Sequence, residues 1–289
     1  MRQVPTWQAY ERLAASERRD LASGCWQLLN ETGEVALSPE AAKEGRFFQS
    51  TLDGRRSILD VGCGPGFPLI LLAEHGAVVW GVDASPTMSR LARRHVAALG
   101  LRRVGVARAL AEALPFANGS FDGFAMCGTL GSLPDPGPVL AELARVAARG
   151  ALVADLEEDY RHRLAPGAPR LLRRLRRDQD KLVLQIVHYL VGPYRIRDER
   201  YVLDAESDLG KRLLADPALW EKGWAATGLL PERVPRDLVL DASYDIAAQF
   251  DPTTLCDAFG SAGFEVVEQR VEESYGVPHI FSVFRYRRP

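Results

Sequence analysis

Short apolar runs alternate with helical repeats along most of the chain. Trp7, Tyr10, Leu13 and Ala14 fall at helical spacing, as do Leu21, Cys25 and Leu28, so residues 1–50 read as helical. At Ser57 the pattern changes. Ser57 to Gly62 is a short apolar strand running into a glycine-rich turn. A helix follows over Pro68 to His75 and stops at Gly76. A second strand, Ala77 to Val82, ends at Asp83, and Ser85-Pro86 opens a helix that runs from Pro86 to Leu99 and stops at Gly100. Val104 to Ala107 is a third strand. Phe121 to Cys127 is a fourth, entered through Asn118-Gly119-Ser120. Pro138 to Ala148 reads as a helix and Ala151 to Leu156 as a fifth strand. Strands alternating with helices at short spacing predict βαβ units and a parallel sheet.

The rhythm breaks between 158 and 248. Leu171, Leu175, Leu182 and Ile186 carry the apolar stripe expected of a long amphipathic helix. Residues 187–204 have room for one or two strands, and Trp220, Trp224 and several prolines mark a less regular stretch. This section is expected to be an inserted cap. The rhythm then resumes: a helix over Pro252 to Ala262 closed by Gly263, a strand over Phe264 to Val271, a link from Glu273 to His279, and a last strand over Ile280 to Tyr286. The expected organisation is an N-terminal helical segment (1–50), an α/β core (51–157 and 249–289) and the cap (158–248).

Composition adds exclusions. With 289 residues, 47% apolar and 26% charged, the chain has ample material for a buried core. A formal net charge of -2 supplies no basic field to draw it to nucleic acid or an anionic membrane. No leader is visible at Met1 to Pro5, and apolar runs such as Pro68 to Ala73 are far too short to span a bilayer. The four cysteines (Cys25, Cys63, Cys127, Cys256) form no CxxC pair, which argues against a zinc site and fits a reduced, cytoplasmic protein.

The chemistry concentrates in Asp60-Val61-Gly62-Cys63-Gly64-Pro65-Gly66. Glycines let backbone approach a ligand and adopt conformations closed to other residues. The pattern is GxGxG rather than the GxGxxG of dinucleotide sites, and no Gly-Lys-Ser/Thr follows. Asp83, at the end of the second strand, offers the two oxygens that a ribose diol needs. A tight turn with Asp83 as a helix cap is the plainer alternative.

The stretch Ile58 to Gly66 resembles motif I of class I S-adenosylmethionine-dependent methyltransferases. Gly81-Val82-Asp83-Ala84-Ser85-Pro86-Thr87-Met88 resembles their acidic-loop motif. Ala111-Glu112-Ala113-Leu114-Pro115-Phe116 with Ser120-Phe121-Asp122, and Asp135-Pro136 with Leu140 to Val146, are similar to the segments that follow. The likeness covers about 55–157 and resumes at about 250–289. It implies a Rossmann-like, seven-stranded, mostly parallel sheet with an antiparallel C-terminal hairpin. It also implies S-adenosylmethionine as cofactor: Asp60, Gly62, Cys63, Gly64 and Gly66 at its methionine part, Asp83 at the ribose, Ala84 and Met88 beside the adenine, Ala111 and Glu112 at the adenine edge. Cys127, Gly128 and Thr129 would line the other side. Tyr10 or Trp7 would close over the cofactor, with ordinary helix packing as the alternative.

A sulfonium methyl donor is already activated. The protein must align the acceptor, worth about 7–11 kcal/mol, and for many acceptors remove a proton, worth roughly 100- to 10,000-fold. Ligands of parallel sheets lie at the carboxyl ends of the strands. That rule selects Cys127 to Leu133, Glu157 to Arg163 and Glu273 to His279. His279 is the best-placed base, against a solvent-facing hairpin histidine. Glu157 and Tyr160 are the next candidates, against a solvated acidic loop. His162 and His188 rank below them. No Asn/Asp-Pro-Pro-Tyr/Phe motif follows the fourth strand, which argues against nucleobase and glutamine acceptors. Cys127 reads as a small residue against the cofactor rather than a nucleophile. Arg170, Arg173, Arg174 and Arg177 would share one face of a helix, either gripping phosphates or facing solvent. A large cap suits a small, enclosed acceptor. The expected partner is therefore a small molecule rather than nucleic acid or membrane, and the expected state a monomer or homodimer. An RNA or protein substrate, or cofactor binding without methyl transfer, are the competing readings.

Overall fold

The computed structural model describes residues 35, 37–73, 76–133, 135–161, 171–178, 180–190, 195–221, 239–246 and 250–287. Trp7 and Tyr10 lie outside the described residues. By their contacts these residues form two compact units, one within Arg163–Ala247 and one within Tyr10–His162 and Ala248–Pro289.

The larger unit opens with α1 (Pro39–Leu52). Ser38 caps it, its Oγ accepting Ala41 N–H at 3.1 Å, and Pro39 stands at the first helical position, where its missing N–H costs nothing. Then come β1 (Ser57–Val61), α2 (Phe67–Ala73), β2 (Val78–Asp83), α3 (Pro86–Ala98), β3 (Val104–Arg108), β4 (Phe121–Cys127), α4 (Gly137–Val146), β5 (Ala147–Glu158) and, after the smaller unit, α7 (Pro252–Ser261), β10 (Phe264–Ser274) and β11 (Val277–Tyr286). The seven strands pair in the order β10-β11-β5-β4-β1-β2-β3. β1, β2, β3, β4 and β5 run parallel, while β11 is antiparallel to both β5 and β10. This is the expected α/β sheet with its antiparallel ending. Central strands are apolar on both faces because helices cover both: Ile58, Leu59 and Val61 of β1 are all buried. One core, with Leu59, Phe124, Leu143 and Phe259, joins the sheet to α4 and α7. The other, with Phe47, Phe48, Ile58 and Leu69, joins it to α1 and α2.

Two boundaries differ from the sequence reading. The link expected over Glu273 to His279 is a two-residue turn, Tyr275-Gly276, with φ of 50° and 74°. Positive φ at both centres matches the strand twist and closes the hairpin tightly. His279 therefore lies in β11. Likewise β5 continues through Glu158, because His279 pairs with Glu158 and Ile280 with Glu157, extending the ladder past the expected end. Glu157 and Glu158 are strand residues, not loop residues.

The smaller unit corrects the sequence reading more deeply. The long helix expected from Leu171 to Ile186 is a hairpin of β6 (Leu171–Asp178) and β7 (Lys181–Leu190), followed by β8 (Arg195–Asp204), α5 (Asp208–Ala215), α6 (Ala218–Glu221) and β9 (Val239–Ile246). The four strands form one antiparallel sheet, β6-β7-β8-β9. Leucines four apart satisfy a strand period as well as a helical one. The deciding sign is the two-residue spacing of Leu182 and Leu184, both fully buried with Leu203, Leu213 and Trp220. The shared arginine face held only for a helix, so that argument lapses. Arg170 lies outside the described residues. No described helix is long and apolar enough to cross a membrane.

Candidate functional site

The parallel strands β1, β2, β4 and β5 end along one edge of the large sheet, at Val61, Asp83, Cys127 and Glu158. The glycine loop leaves β1 there. Gly62, Gly64 and Gly66 have φ of 72°, 50° and 102°, conformations that L side chains rarely adopt. Gly62 is also closed to substitution by space, since a Cβ there would lie 2.6 Å from Thr129 Oγ1. Thr129 Oγ1 in turn donates to Val61 O at 2.8 Å, tying the end of β4 to the end of β1. Gly62 N–H and Cys63 N–H both donate to Val82 O at 2.9 Å.

Asp83 links the two loops. Its Oδ2 accepts Gly64 N–H at 2.9 Å and its Oδ1 accepts Ser85 N–H at 2.8 Å. Ser85 caps α3 by accepting Met88 N–H, and Ser89 Oγ donates to Asp83 O at 3.0 Å. The carboxylate is thus held half-buried at the strand end. Ala84 is half-buried, Met88 buried beneath it, Ala111 half-buried and Glu112 exposed. Cys63 turns away from the edge: its sulfur packs under Gly81, and burial pushes its thiol well up. His95 Nδ1 lies 2.8 Å from Pro65 O, an anchor of the loop that spacing alone did not reveal.

Asp60 is the most polar group in this region and is 1% exposed. Its Oδ2 accepts Leu69 N–H at 3.0 Å, and its Oδ1 has no hydrogen-bond partner among the described residues. Burial first, and the neighbouring Asp83 charge besides, push its pKa up to about 8. A buried carboxylate oxygen with no donor suits a ligand bearing positive charge or hydrogen-bond donors.

At the ends of β4 and β5 the acids are also desolvated. Glu157 accepts Leu130 N–H at 2.7 Å and Gly131 N–H at 3.2 Å, one on each oxygen, and so caps the short 3-10 turn Leu130–Ser132. Burial raises its pKa to about 7. The expected acidic loop is instead a buried strand end whose acid holds the segment after β4. Tyr160 N–H donates to Phe250 O at 3.3 Å, where the chain leaves and re-enters this unit. His279 is half-buried opposite Glu158, with Nδ1 3.0 Å from Val277 O. A carbonyl only accepts, so this contact calls for the proton on Nδ1. Burial pushes the Cys127 thiol well up, which leaves it neutral and a poor nucleophile. Sequence reasoning missed two further groups. Asp155 is fully buried, and among the described residues neither carboxylate oxygen has a hydrogen-bond partner. Glu44 of α1 is 5% exposed and accepts Ser274 Oγ–H at 2.6 Å. Nothing in the spacing of either residue marks it.

Comparison with known proteins bears on this edge. Residues 59–154, from β1 through β5, match the model of a methyltransferase domain family. This stretch, about a third of the chain, is similar to methyltransferase domains. Methyltransferase GfsG of Streptomyces halstedii is 33% identical over 149 residues, covering 51% of this chain and 54% of that protein. Demethylmenaquinone methyltransferase of Thermus thermophilus is 38% identical over 104 residues, covering 35% and 47%. The chain spans about half the length of the curated relatives it matches. Two solved structures share the methyltransferase fold. An S-adenosylmethionine-dependent methyltransferase from Clostridium acetobutylicum aligns with a TM-score of 0.61 at 11% identity, covering 97% of this chain and all (100%) of that one. CcbJ from Streptomyces caelestis aligns at 0.60 and 17%, covering 87% and 92%.

Proposed function

We propose that this chain transfers a methyl group from S-adenosylmethionine to a small-molecule acceptor at oxygen, carbon or nitrogen, a natural-product intermediate being the leading acceptor class. One observation carries the reading: the Gly62 to Gly66 bend is tied through Gly64 to the Asp83 carboxylate and lies beside the unpartnered oxygen of buried Asp60. In this reading Asp83 binds the ribose, Asp60 and the loop backbone flank the methionine part, and Ala84, Met88, Ala111 and Glu112 border the adenine. The bound cofactor supplies a methyl group on positively charged sulfur. In this reading His279 would take the proton that the acceptor gives up as it is methylated. Glu157 fixes Leu130 and Gly131, so the segment after β4 is rigid when the acceptor docks. Tyr160 orients the chain beyond β5. The name of the menaquinone relative supports a small acceptor.

A second reading has one observation in its favour. SpnF, a [4+2]-cyclase, shares the fold at a TM-score of 0.58 and 16% identity, covering 99% of this chain and 98% of that one. In that reading the chain holds the nucleoside and steers a different reaction. Incubation with methyl-labelled cofactor and metabolite extracts separates the two. Labelled product with S-adenosylhomocysteine supports transfer; tight binding in calorimetry without either product defeats it.

A further inference from the structure

The large sheet ends on two edge strands of different character. At one end β3 is short, and none of its side chains is a large, exposed apolar one. At the other end β10 runs for 11 residues with no described strand on its outer side. It carries Val266, Val267 and Val271, which are 49%, 48% and 41% exposed. A long edge with exposed valines is a template for another strand. The bulge between Val266 and Glu268 interrupts its start and leaves Glu268 to Ser274 as a regular run. Pro278 O accepts Asp159 N–H at 2.9 Å, so Pro278 turns its carbonyl toward β5 and away from β10. Residues directly opposite in an antiparallel pair either both bond to each other or both turn away. Glu273, opposite Pro278, therefore turns its N–H and C=O outward, and with period two so do Val271 and Gln269. Lys43 Nζ meets Glu273 O at 3.1 Å, outside the ladder. Side chains alternate as well. Arg270 is opposite Phe281 and lies 5.1 Å from its ring and 5.4 Å from that of Phe47. Glu268, Arg270 and Glu272 thus share the face that α1 covers, and Gln269, Val271 and Glu273 share the other.

We infer that β10 is an interface with a second copy of this chain, the two strands pairing antiparallel about a two-fold axis at Val271. In that register Val271 stands opposite Val271 of the second copy, and Gln269 of each copy opposite Glu273 of the other. These are the residues whose backbone groups turn outward, so about six main-chain hydrogen bonds form across the axis. On the α1 face, Arg270 of each copy stands opposite Glu272 of the other. Within one chain Arg270 already pairs with Glu268 and with Glu272, and Lys43 pairs with Glu272, each at 2.6 Å. Joining two copies sets Glu268 and Glu272 of each among Arg270 and Lys43 of both, a neutral set of alternating sign. The neighbouring registers fail on the same facts. A two-fold axis at Arg270 sets Arg270 against Arg270 and Glu268 against Glu272, and it pairs backbone groups that are turned inward. An axis at Glu272 sets Glu272 against itself. An axis at Gln269 brings the bulge into the ladder opposite Val271. Charge and backbone direction together select Val271. The pairing asks nothing of the methyl-transfer reading.

Light scattering on protein eluting from a sizing column gives the mass of the full chain at ~50 µM. The parent should carry the mass of two chains. Val271→Lys sets like charges against each other at the axis and should weaken association on the order of 100-fold, leaving single chains with the parent's circular dichroism. Arg270→Glu and Glu272→Lys should each run as single chains alone, because each sets like charges opposite one another. Mixed in equal amounts they should pair, since the introduced acid of one then faces the introduced base of the other. A single-chain mass for the parent overturns the inference. So does a folded Val271→Lys protein that keeps the two-chain mass, which would place the interface elsewhere. Folded charge variants that fail to pair on mixing overturn the Val271 register and the inference with it. Should Val271→Lys not fold, the mixing experiment alone decides.

Discussion

Asp60 makes the folded protein pH-sensitive in a calculable way. Its pKa rises from 3.8 to about 8 on burial, so between these values the native state holds a proton that the unfolded chain has released. Stability then falls as pH rises, by about 1.4 kcal/mol per pH unit. The cost is absent below about pH 4, reaches about 4 kcal/mol at pH 7 and levels off above about pH 8. Against a total of about 5–15 kcal/mol this is a large share. Asp60→Asn removes the titration while keeping an amide oxygen to accept Leu69 N–H. It also places a donor where Oδ1 now stands alone, costing about 1–3 kcal/mol at every pH. The two stability curves should therefore cross between about pH 4.5 and 6, with the variant weaker at about pH 4 and stronger at about pH 8. Urea unfolding at half-unit steps from about pH 4 to 8.5 measures this directly. Parallel curves would mean that Asp60 does not titrate in this window and that its burial costs nothing of the kind argued.

Three other outcomes follow from the geometry. Asp83→Ala should weaken cofactor binding by on the order of 100-fold in calorimetry, since two charge-assisted hydrogen bonds to a diol are lost; unchanged affinity would remove the ribose role. Gly62→Ala combines a φ of 72° with a Cβ 2.6 Å from Thr129 Oγ1 and should lower stability by about 2–4 kcal/mol, part of which Thr129→Ala should return in the double variant. Additive losses would show that the two positions do not meet. Asp155→Val exchanges a desolvated, unpartnered carboxyl for an apolar side chain of similar size. Burial and the Glu157 charge raise the Asp155 pKa. The variant should thus be more stable than the parent at pH 8, with the gain shrinking toward pH 4; a loss at pH 8 would point to a hidden partner.

The parts of the fold that the sequence disclosed are those where local and global signals agree. β1 ends where glycines begin, β2 ends at Asp83, and each following helix opens on a cap residue or a proline, so each boundary is marked twice. Where one signal served two periods, the reading went astray. Leu171-Leu172-Arg173-Arg174-Leu175 fits either helix or strand, and only its partners in β7 decide. The strand ends at Glu157 and His279 were misjudged for a related reason: they exist because β5 and β11 pair, and pairing across more than 120 positions leaves no local trace.

The site shows the same division. The loop and Asp83 were legible because their chemistry is carried by neighbours in sequence. Glu44, Asp155 and the capping role of Glu157 were not, since a buried acid differs from a surface one only in what surrounds it. Those surroundings share a direction. Four acids, Glu44, Asp60, Glu157 and Asp155, add their charge to burial in raising the Cys127 thiol, and every one of them is desolvated. Such a set opposes its own ionisation and so costs folding free energy at neutral pH. A ligand carrying positive charge lowers that cost on binding, and by linkage the acids strengthen its binding to the same degree. The carboxyl edge is therefore electrostatically suited to a cation before any particular hydrogen bond is counted.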